Sequence, residues 1–262
     1  MKSPIVTLTT DFGYVAPWTG VMKGVMLSIN PALVIVDLTH EVPPQDIMSG
    51  ALALADSLPF FPPGTIHVAV VDPGVGSKRR PIVVKTAKSY FVGPDNGLFW
   101  LAIERWGGLE KSWRITNQEF LLHPVSATFH GRDIFAPVAA HLSRGVRPDD
   151  FGPEIDDLEN LLLPRPLLKE KKILGEVIGV DTFGNLITNI TSEILRSYDT
   201  QKLTVTINGI SIGGLSAAYS DVPAGNALAI VGSSDRLEIA CFRGSAAGHF
   251  DAGRGTPVEV NF

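Results

Sequence analysis

The sequence predicts an α/β protein: an amino-terminal α/β/α domain with a mostly parallel sheet, followed by a smaller all-β, barrel-like domain. In the first part, apolar β-rich runs alternate with stretches of helical periodicity, the pattern of a parallel sheet covered on both faces. In the last part, short strand-like runs are separated by Gly, Asn, Asp and Ser, which is typical of an antiparallel barrel or sandwich. A segment with two prolines and a Lys/Glu cluster separates these parts. We therefore predict domains at residues 1–163 and 174–262, joined by a linker at 164–173.

The first domain is predicted to begin with three buried strands, at residues 5–10, 33–38 and 66–71. Two further runs, 82–86 and 90–92, are predicted to be hairpin arms or neighbouring strands. Apolar residues at helical spacing, followed by Pro or Gly, predict four helices: residues 19–29, 46–58, 97–106 and 134–142. Six strands are predicted in the second domain: residues 175–180, 186–190, 203–207, 227–231, 237–242 and 257–260.

Composition limits the classes of function. The chain has 262 residues, 45% of them hydrophobic, which indicates a soluble globular protein with a sizeable core. Its formal charge of -5 argues against a nucleic-acid partner. The single cysteine, Cys241, excludes an internal disulfide and a cysteine-based zinc site. Because no charged-then-apolar leader and no membrane-length apolar run are present, we expect a cytoplasmic protein without a membrane partner.

Several familiar motifs are missing. The sequence has no Gly-x-Gly-x-x-Gly after a strand, no Walker A string, no His-Glu-x-x-His and no Gly-x-Ser-x-Gly. Nicotinamide redox chemistry, ATP hydrolysis, zinc proteolysis and lipase-type chemistry are therefore not supported. No ligand spacing for a metal site is present, and we expect neither a metal nor a cofactor.

Carboxylates follow two of the predicted strands. Asp11 comes directly after the first strand and Asp72 after the third, where open α/β sheets bind ligands. The two oxygens of Asp11 suit a ribose diol, although an Asx turn or helix cap explains this residue equally well. One of the cations Lys78, Arg79 and Arg80 follows closely enough to fold back onto Asp72. A solvated basic rim after an ordinary turn is the alternative.

Polar loops supply further candidates. His130 precedes a glycine and a predicted helix, and it is either a proton acceptor in a cavity-lining loop or a structural histidine. The turn at residues 93–97 is interpreted as a structural helix start. In the second domain, Phe183 is suited to stack on a purine and Asn185 to bond its edge, unless the segment is only a β-turn with a packed ring. The loop at 232–235 is either a carboxylate-binding loop or a simple hairpin.

Taken together, these motifs closely resemble the S-adenosyl-L-methionine (SAM) hydrolases that form adenosine, also called SAM hydroxide adenosyltransferases, which are relatives of the SAM-dependent fluorinases and chlorinases. The resemblance covers essentially the whole chain, and the motifs occur in the family's order. They are Thr10-Asp11-Phe12-Gly13 with Met22-Lys23-Gly24, Thr39-His40-Glu41-Val42-Pro43-Pro44-Gln45-Asp46-Ile47, Val71-Asp72-Pro73-Gly74-Val75-Gly76, Gly93-Pro94-Asp95-Asn96-Gly97, Phe129-His130-Gly131-Arg132-Asp133 and Asp181-Thr182-Phe183-Gly184-Asn185.

The resemblance implies an enzyme that splits SAM, with water as the nucleophile, into adenosine and methionine. It implies a homotrimer whose active site lies at the subunit interface, between the amino-terminal domain of one subunit and the carboxy-terminal domain of the next. It assigns water activation to Asp72, Arg79 and His130, with Asp72 and His130 both open as the proton acceptor, and ribose binding to Asp11. The residues matching the positions that hold the adenine and the methionine end are Asp181, Phe183, Asn185, Ser233, Ser234 and Glu238.

The chain departs from the family pattern in two places. Ala16 and Trp18 stand where family members usually carry an acid and a tyrosine, and residues 241–247 replace a more amide-rich segment. Two other functions are considered. SAM-dependent halide transfer is disfavoured because the halogenating relatives replace the trio that is intact here. A non-catalytic binder of adenosine or SAM is the other alternative.

Overall fold

The computed structural model describes residues 3–262. These residues divide into two compact units, the first ending at Leu161 and the second running from Leu162 to Phe262. The first unit contains a seven-stranded mixed sheet with helices, and the second contains an antiparallel sheet with little helix. The predicted fold class is therefore confirmed. No helix within residues 3–262 combines the length and the apolar character that a membrane crossing requires.

The sheet of the first unit has the strand order β2-β1-β3-β5-β4-β6-β7. Strands β2, β1, β3 and β5 are parallel, and the remaining pairings are antiparallel. The predicted hairpin is confirmed as the β4–β5 pair, whereas β6 and β7 were not predicted because β6 is rich in charged residues and β7 has only two residues. The strands are β1 (Ile5–Thr10), β2 (Val34–Thr39), β3 (Ile66–Val70), β4 (Pro81–Thr86), β5 (Tyr90–Pro94), β6 (Leu109–Arg114) and β7 (Glu154–Ile155).

Helices cover both faces of this sheet. On one face, Val6 and Leu8 of β1 join Met22 and Val138 in a single buried cluster, because alternate strand residues point to the same side. On the other face, Phe91 of β5 contacts Phe99 at the start of a helix. The helices are α1 (Trp18–Ile29), α2 (Ile47–Ser57), α3 (Trp100–Arg105), α4 (Ala136–Ser143) and α5 (Pro148–Phe151), and a π-helical turn (Gly131–Phe135) leads into α4.

The strand order creates a ligand crevice at β1. The chain runs from β1 to β2 on one side and then crosses to β3 on the other side of β1, so the direction of strand addition reverses at β1. In open α/β sheets, ligands bind outside the carboxyl ends of the strands at such a switch point. Asp11 follows β1 directly and Asp72 follows β3 by two residues, so both acids lie at this edge.

The second unit is a nearly closed antiparallel sheet. Its path is β12-β11-β15-β9-β10-β14-β13, with β8 paired to β9, and a bridge between Ser216 and Ile230 links the segment after β12 to β13. The segment predicted as a linker, residues 164–173, contains β8 and the start of β9, because its charged residues form an exposed hairpin. The elements are β8 (Leu167–Lys169), β9 (Lys172–Val180), β10 (Leu186–Thr191), α6 (Ser192–Leu195), β11 (Thr204–Ile207), β12 (Ile210–Gly213), β13 (Ala227–Val231), β14 (Arg236–Cys241), α7 (Ala246–Phe250) and β15 (Pro257–Asn261).

Candidate active site

The loop between β3 and β4 folds back so that Arg79 meets Asp72. Arg79 Nε donates to Asp72 Oδ1 at 3.1 Å, and Nη2 donates to Oδ2. The fold-back arises from a tight turn in which the Ser77 backbone N–H and hydroxyl both donate to the Gly74 carbonyl, at 3.1 and 2.7 Å. The two charged side chains are only 7% and 5% exposed, so this bidentate pair is buried. The turn therefore brings Arg79, rather than Lys78 or Arg80, into contact with Asp72.

His130 completes this cluster from the start of the π-helical turn. Arg79 Nη2 lies 3.0 Å from His130 Nδ1, and the guanidinium lies 5.4 Å from the centre of the Phe135 ring. Burial lowers the pKa of His130, the positive charge of Arg79 lowers it further, and the charges of Asp72 and Asp133 oppose this only in part. The imidazole is therefore neutral at pH 7.

The contact with Arg79 also fixes which nitrogen of His130 carries the proton. A guanidinium has N–H donors and no acceptor, so His130 Nδ1 must accept the hydrogen bond from Arg79. A neutral imidazole has one protonated nitrogen, and here it is Nε2. His130 thus offers a hydrogen-bond donor, because its basic nitrogen is already engaged.

Asp11 lies in the same cavity as Asp72 and His130. Its Oδ2 accepts the backbone N–H of Gln45 at 2.8 Å, and Gln45 has a left-handed φ of 66°. The predicted grouping of strand-end acids and histidine is therefore present in the structure. The cavity measures about 380 Å³ and is lined by Asp11, Phe12, Trp18, Pro44, Gln45, Val70, Asp72, Pro73, Val75, Thr128, Phe129, His130 and Gly131.

A partly buried network of polar side chains supports the loop that carries Asp11. The Thr10 hydroxyl lies 2.8 Å from His40 Nδ1, and His40 Nε2 lies 3.1 Å from Asp37 Oδ1. Lys23 donates to the other Asp37 oxygen at 2.6 Å. The His40 carbonyl accepts the Gly13 N–H at 2.8 Å, so His40 holds both ends of the turn around Asp11.

Aromatic side chains form one wall of this cavity. Trp18, one of the two residues at which the resemblance implied a departure, lines the cavity and packs edge-on against Phe129 with ring centres 5.3 Å apart. Phe12 contacts the same ring at 5.8 Å.

The second unit contains a separate pocket of about 680 Å³. It holds five of the six residues predicted there, and the sixth, Ser234, has a buried hydroxyl oxygen with no hydrogen-bond partner among the described residues. Sequence reasoning missed Tyr219, which lies in a short 3₁₀ turn without a local motif. The lining residues are Asp181, Phe183, Asn185, Tyr219, Ser233, Glu238, Cys241, Phe242, Arg243 and Gly244.

Asp181 organises one wall of this pocket. Its Oδ1 accepts the backbone N–H groups of Phe183 and Asn185 at 2.9 and 2.8 Å, and its Oδ2 accepts from Asn185 Nδ2 at 2.8 Å. These bonds form an Asx-type turn that leaves the Phe183 ring 77% exposed. The β-turn expected as the alternative is thus present, but its ring is not packed: Phe183 is exposed and lines the pocket.

Glu238 and Tyr219 form a second polar group in the pocket. The Tyr219 hydroxyl donates to Glu238 Oε2 at 3.1 Å. Burial and the nearby negative charge of Glu238 raise the pKa of Tyr219 to about 12, so the phenol stays protonated. The carboxylate packs against Gly232, where a Cβ atom would lie only 1.8 Å from an oxygen. A residue with a Cβ atom at this position would have to displace the Glu238 carboxylate.

The chain thus has two parts: an α/β unit that carries an acid–guanidinium–imidazole cluster, and a β unit whose pocket combines aromatic side chains with carboxylate and amide groups. Residues 6–152 match the SAM hydroxide adenosyltransferase N-terminal domain, and residues 175–259 match the corresponding C-terminal domain. The chain belongs to the SAM hydroxide adenosyltransferase family.

Individual relatives agree with this assignment. The chain is 36% identical over 248 residues to the (R)-S-adenosyl-L-methionine hydrolase of Salinispora arenicola, covering 94% of this chain and 93% of that one. It is 28% identical over 293 residues to the fluorinase of Nocardia brasiliensis, covering 99% and 97%. A crystal structure of an uncharacterized conserved protein from Thermotoga maritima matches with a TM-score of 0.92 at 38% identity, covering 98% and 100%.

Proposed function

We propose that this protein hydrolyses SAM to adenosine and L-methionine, with a water molecule attacking the C5′ carbon. The observation that carries the proposal is the buried contact of Arg79 with both Asp72 and His130, beside a cavity that Asp11 shares. Family membership and the relatives named as hydrolases support the same reaction.

The reaction requires activation of the nucleophile but little activation of the leaving group. Methionine leaves a sulfonium as a neutral thioether and requires no proton. Water is a weak nucleophile at pH 7, so a positioned base and in-line alignment supply what is missing. General base catalysis typically contributes about 10²–10⁴-fold, and orientation adds several kcal/mol.

In this proposal Asp72, His130 and Arg79 have separate roles, which follow from their hydrogen bonds. Asp72 takes the proton of the water, because the only basic nitrogen of His130 already accepts from Arg79. His130 Nε2–H donates to the water oxygen and holds its lone pair toward C5′. Arg79 fixes both partners and stabilises the negative charge that develops on the oxygen. As the oxygen bonds to C5′, the C5′–S bond breaks and its electron pair leaves with methionine.

The remaining predicted residues bind the substrate in this proposal. Asp11 accepts hydrogen bonds from the ribose hydroxyls, since Gln45 engages only one of its oxygens. The pocket of the second unit takes the adenine and the methionine end, with Phe183 stacking on the base. We further propose a homotrimer in which the pocket of one subunit completes the cavity of its neighbour. Two exposed apolar side chains support such an assembly: Phe183 (77%), which lines the second pocket, and Val15 (106%), which lies in the chain between the cavity-lining residues Phe12 and Trp18.

A product assay tests the proposal. The purified protein is incubated with SAM, and products are separated by chromatography; we expect adenosine and methionine in equal amounts. Asp72→Asn should abolish both products, whereas Asp56→Asn, which alters an acid paired with Arg105 on the surface of the same unit, should leave activity intact. Formation of 5′-halo-5′-deoxyadenosine in chloride or fluoride would establish halide transfer instead. Saturable binding of unchanged SAM would establish a binding protein.

A further inference from the structure

We propose that the turn at residues 93–97, Gly93-Pro94-Asp95-Asn96-Gly97, is a clamp that holds the two ends of the loop between Asp72 and Arg79. Asp95 and Asn96 would then be positioning residues for the water-activating cluster, which goes beyond the helix start expected from their sequence. The inference rests on the proposed hydrolysis for its kinetic readout and on contacts within the first unit for its geometry.

Asn96 holds the beginning of the loop. Its Nδ2 donates to the carbonyl of Val71 at 2.9 Å, and Val71 is fully buried and directly precedes Asp72. The same side chain accepts the Leu98 N–H through Oδ1 at 3.2 Å. The Asn96 side chain therefore orders the start of the segment that leads to α3 and also fixes the peptide between Val71 and Asp72.

Asp95 holds the end of the loop. Its backbone N–H donates to the Arg80 carbonyl at 2.9 Å, and its Oδ2 accepts from Arg80 Nε at 2.8 Å. Its Oδ1 accepts the Glu159 N–H at 2.9 Å, and its side chain is only 2% exposed. Arg80 also donates to Asp157 Oδ1 at 2.6 Å. Because Arg80 directly follows Arg79, these bonds also fix the backbone position from which the Arg79 side chain extends.

The two anchors matter because the bidentate pair depends on the distance between the loop ends. Arg79 contacts both Asp72 oxygens and His130 at once, so a displacement of its backbone relative to Asp72 would disturb all three contacts. Gly76, with a φ of 75°, packs so tightly on the Ala127 carbonyl that a Cβ atom would lie 2.3 Å from it. A shift of the loop would therefore disturb the segment that carries His130 as well.

Asn96→Asp tests the clamp. The new carboxylate keeps the acceptor for Leu98 N–H but places an oxygen against the Val71 carbonyl, so the anchor is lost at nearly unchanged size. The chain offers a matched control in Asn117→Asp. Asn117 Oδ1 accepts the Glu119 N–H at 3.1 Å, and Nδ2 donates to the Asp150 carbonyl at 2.9 Å. Both variants lose a hydrogen bond from a side-chain amide to a backbone carbonyl, but only Asn96→Asp loses it at the loop between Asp72 and Arg79.

We expect Asn96→Asp to lower kcat by about 10²-fold with little change in KM for SAM, since small misplacements of catalytic groups cost this much. Asn117→Asp should keep kcat while losing a comparable amount of thermal stability. In an Arg79→Lys background, Asn96→Asp should cost much less than in the wild type, because the two changes disturb one unit.

A second readout does not depend on turnover. The ring-nitrogen NMR resonances of His130 report whether Nδ1 still accepts from Arg79, and we expect them to change in Asn96→Asp and not in Asn117→Asp. Equal kcat values in the two variants, or unchanged His130 resonances in Asn96→Asp, would overturn the clamp. A wild-type protein that produces no adenosine would overturn the proposed hydrolysis, and the NMR comparison would still decide the clamp.

Discussion

Arg79→Lys is the sharpest test of the proposed water-activating cluster. Lysine keeps the positive charge beside the buried Asp72 but has a single nitrogen on a flexible stem. That nitrogen cannot reproduce the fork that binds both Asp72 oxygens while also donating to His130 Nδ1 at 3.0 Å. Arg79→Ala is less informative, because it leaves a carboxylate that is only 5% exposed without its partner. Breaking a buried ion pair in this way costs about 3–5 kcal/mol of stability.

The expected loss follows from the contacts that lysine gives up. Hydrogen bonds to charged groups contribute about 1.5–3 kcal/mol each, and about 1.4 kcal/mol corresponds to a tenfold change in rate. Losing the orientation of Asp72 and the lock on the His130 tautomer removes two such contributions. Because the two effects share one side chain and are not additive, we expect kcat to fall about 10²–10³-fold. This range matches the loss of one preorganised donor in other active sites.

The assay compares initial rates of adenosine formation at saturating SAM, together with KM and the thermal midpoint. KM should change little, because Asp11 and the pocket of the second unit are untouched. Arg105→Lys is the matched control, since Arg105 forms a guanidinium–carboxylate pair with Asp56 away from the cavity. A folded Arg79→Lys protein with kcat within twofold of the wild type would refute the role of the guanidinium fork.

Three further substitutions test separate contacts. Asp11→Asn keeps an acceptor for the Gln45 N–H but loses its charge, so initial-rate assays should show a raised KM for SAM at nearly constant kcat; an equal fall in kcat would contradict ribose binding. Phe183→Ala should weaken adenosine binding by about 1–3 kcal/mol in calorimetry at unchanged Tm, and Phe60→Ala, which removes an 82% exposed ring, should change neither quantity. Burial lowers the pKa of His67 from 6.5 to about 4, so between these values the unfolded chain binds a proton that the folded chain excludes. Unfolding free energy from urea titrations should therefore fall by about 3 kcal/mol from this residue as pH drops from 6.5 to 4, and His67→Gln should remove that part of the loss.

Local patterns in the sequence predicted most elements of the fold, and the elements that were missed are short, charged or exposed. The helix expected at 19–29 is α1 (Trp18–Ile29), and Asp46 caps α2 by accepting the Ser49 N–H at 3.1 Å. Strands β6 and β8 were missed because their residues are charged or exposed, so neither alternation nor an apolar run marks them. β6 takes its conformation from pairing with β4 and β7, and β8 from pairing with β9.

The candidate site was predictable in its residue types and less so in its contacts. From the residues alone, Lys78, Arg79 and Arg80 were equally open as partners of Asp72, and the resemblance to a family singled out Arg79. In the structure Arg80 is held by Asp95 and Asp157, and the turn at Gly74–Ser77 turns Arg79 inward. Tyr219 could not be predicted, because it meets Glu238 only through the closure of the antiparallel sheet.

Asn96 makes one hydrogen bond that the sequence predicts and one that depends on the fold. Its Oδ1 accepts the N–H of Leu98, two residues ahead, and this local contact is typical of a Pro-Asp-Asn-Gly turn. Its Nδ2 donates to the carbonyl of Val71, directly after β3, and this contact depends on β3 and β5 being neighbours in the sheet. The same strand order places Asp11 and Asp72 at adjacent strand ends. Sheet topology therefore does two things at once: it gathers the acids into one cavity, and it brings the turn after β5 within reach of the peptide that positions one of them.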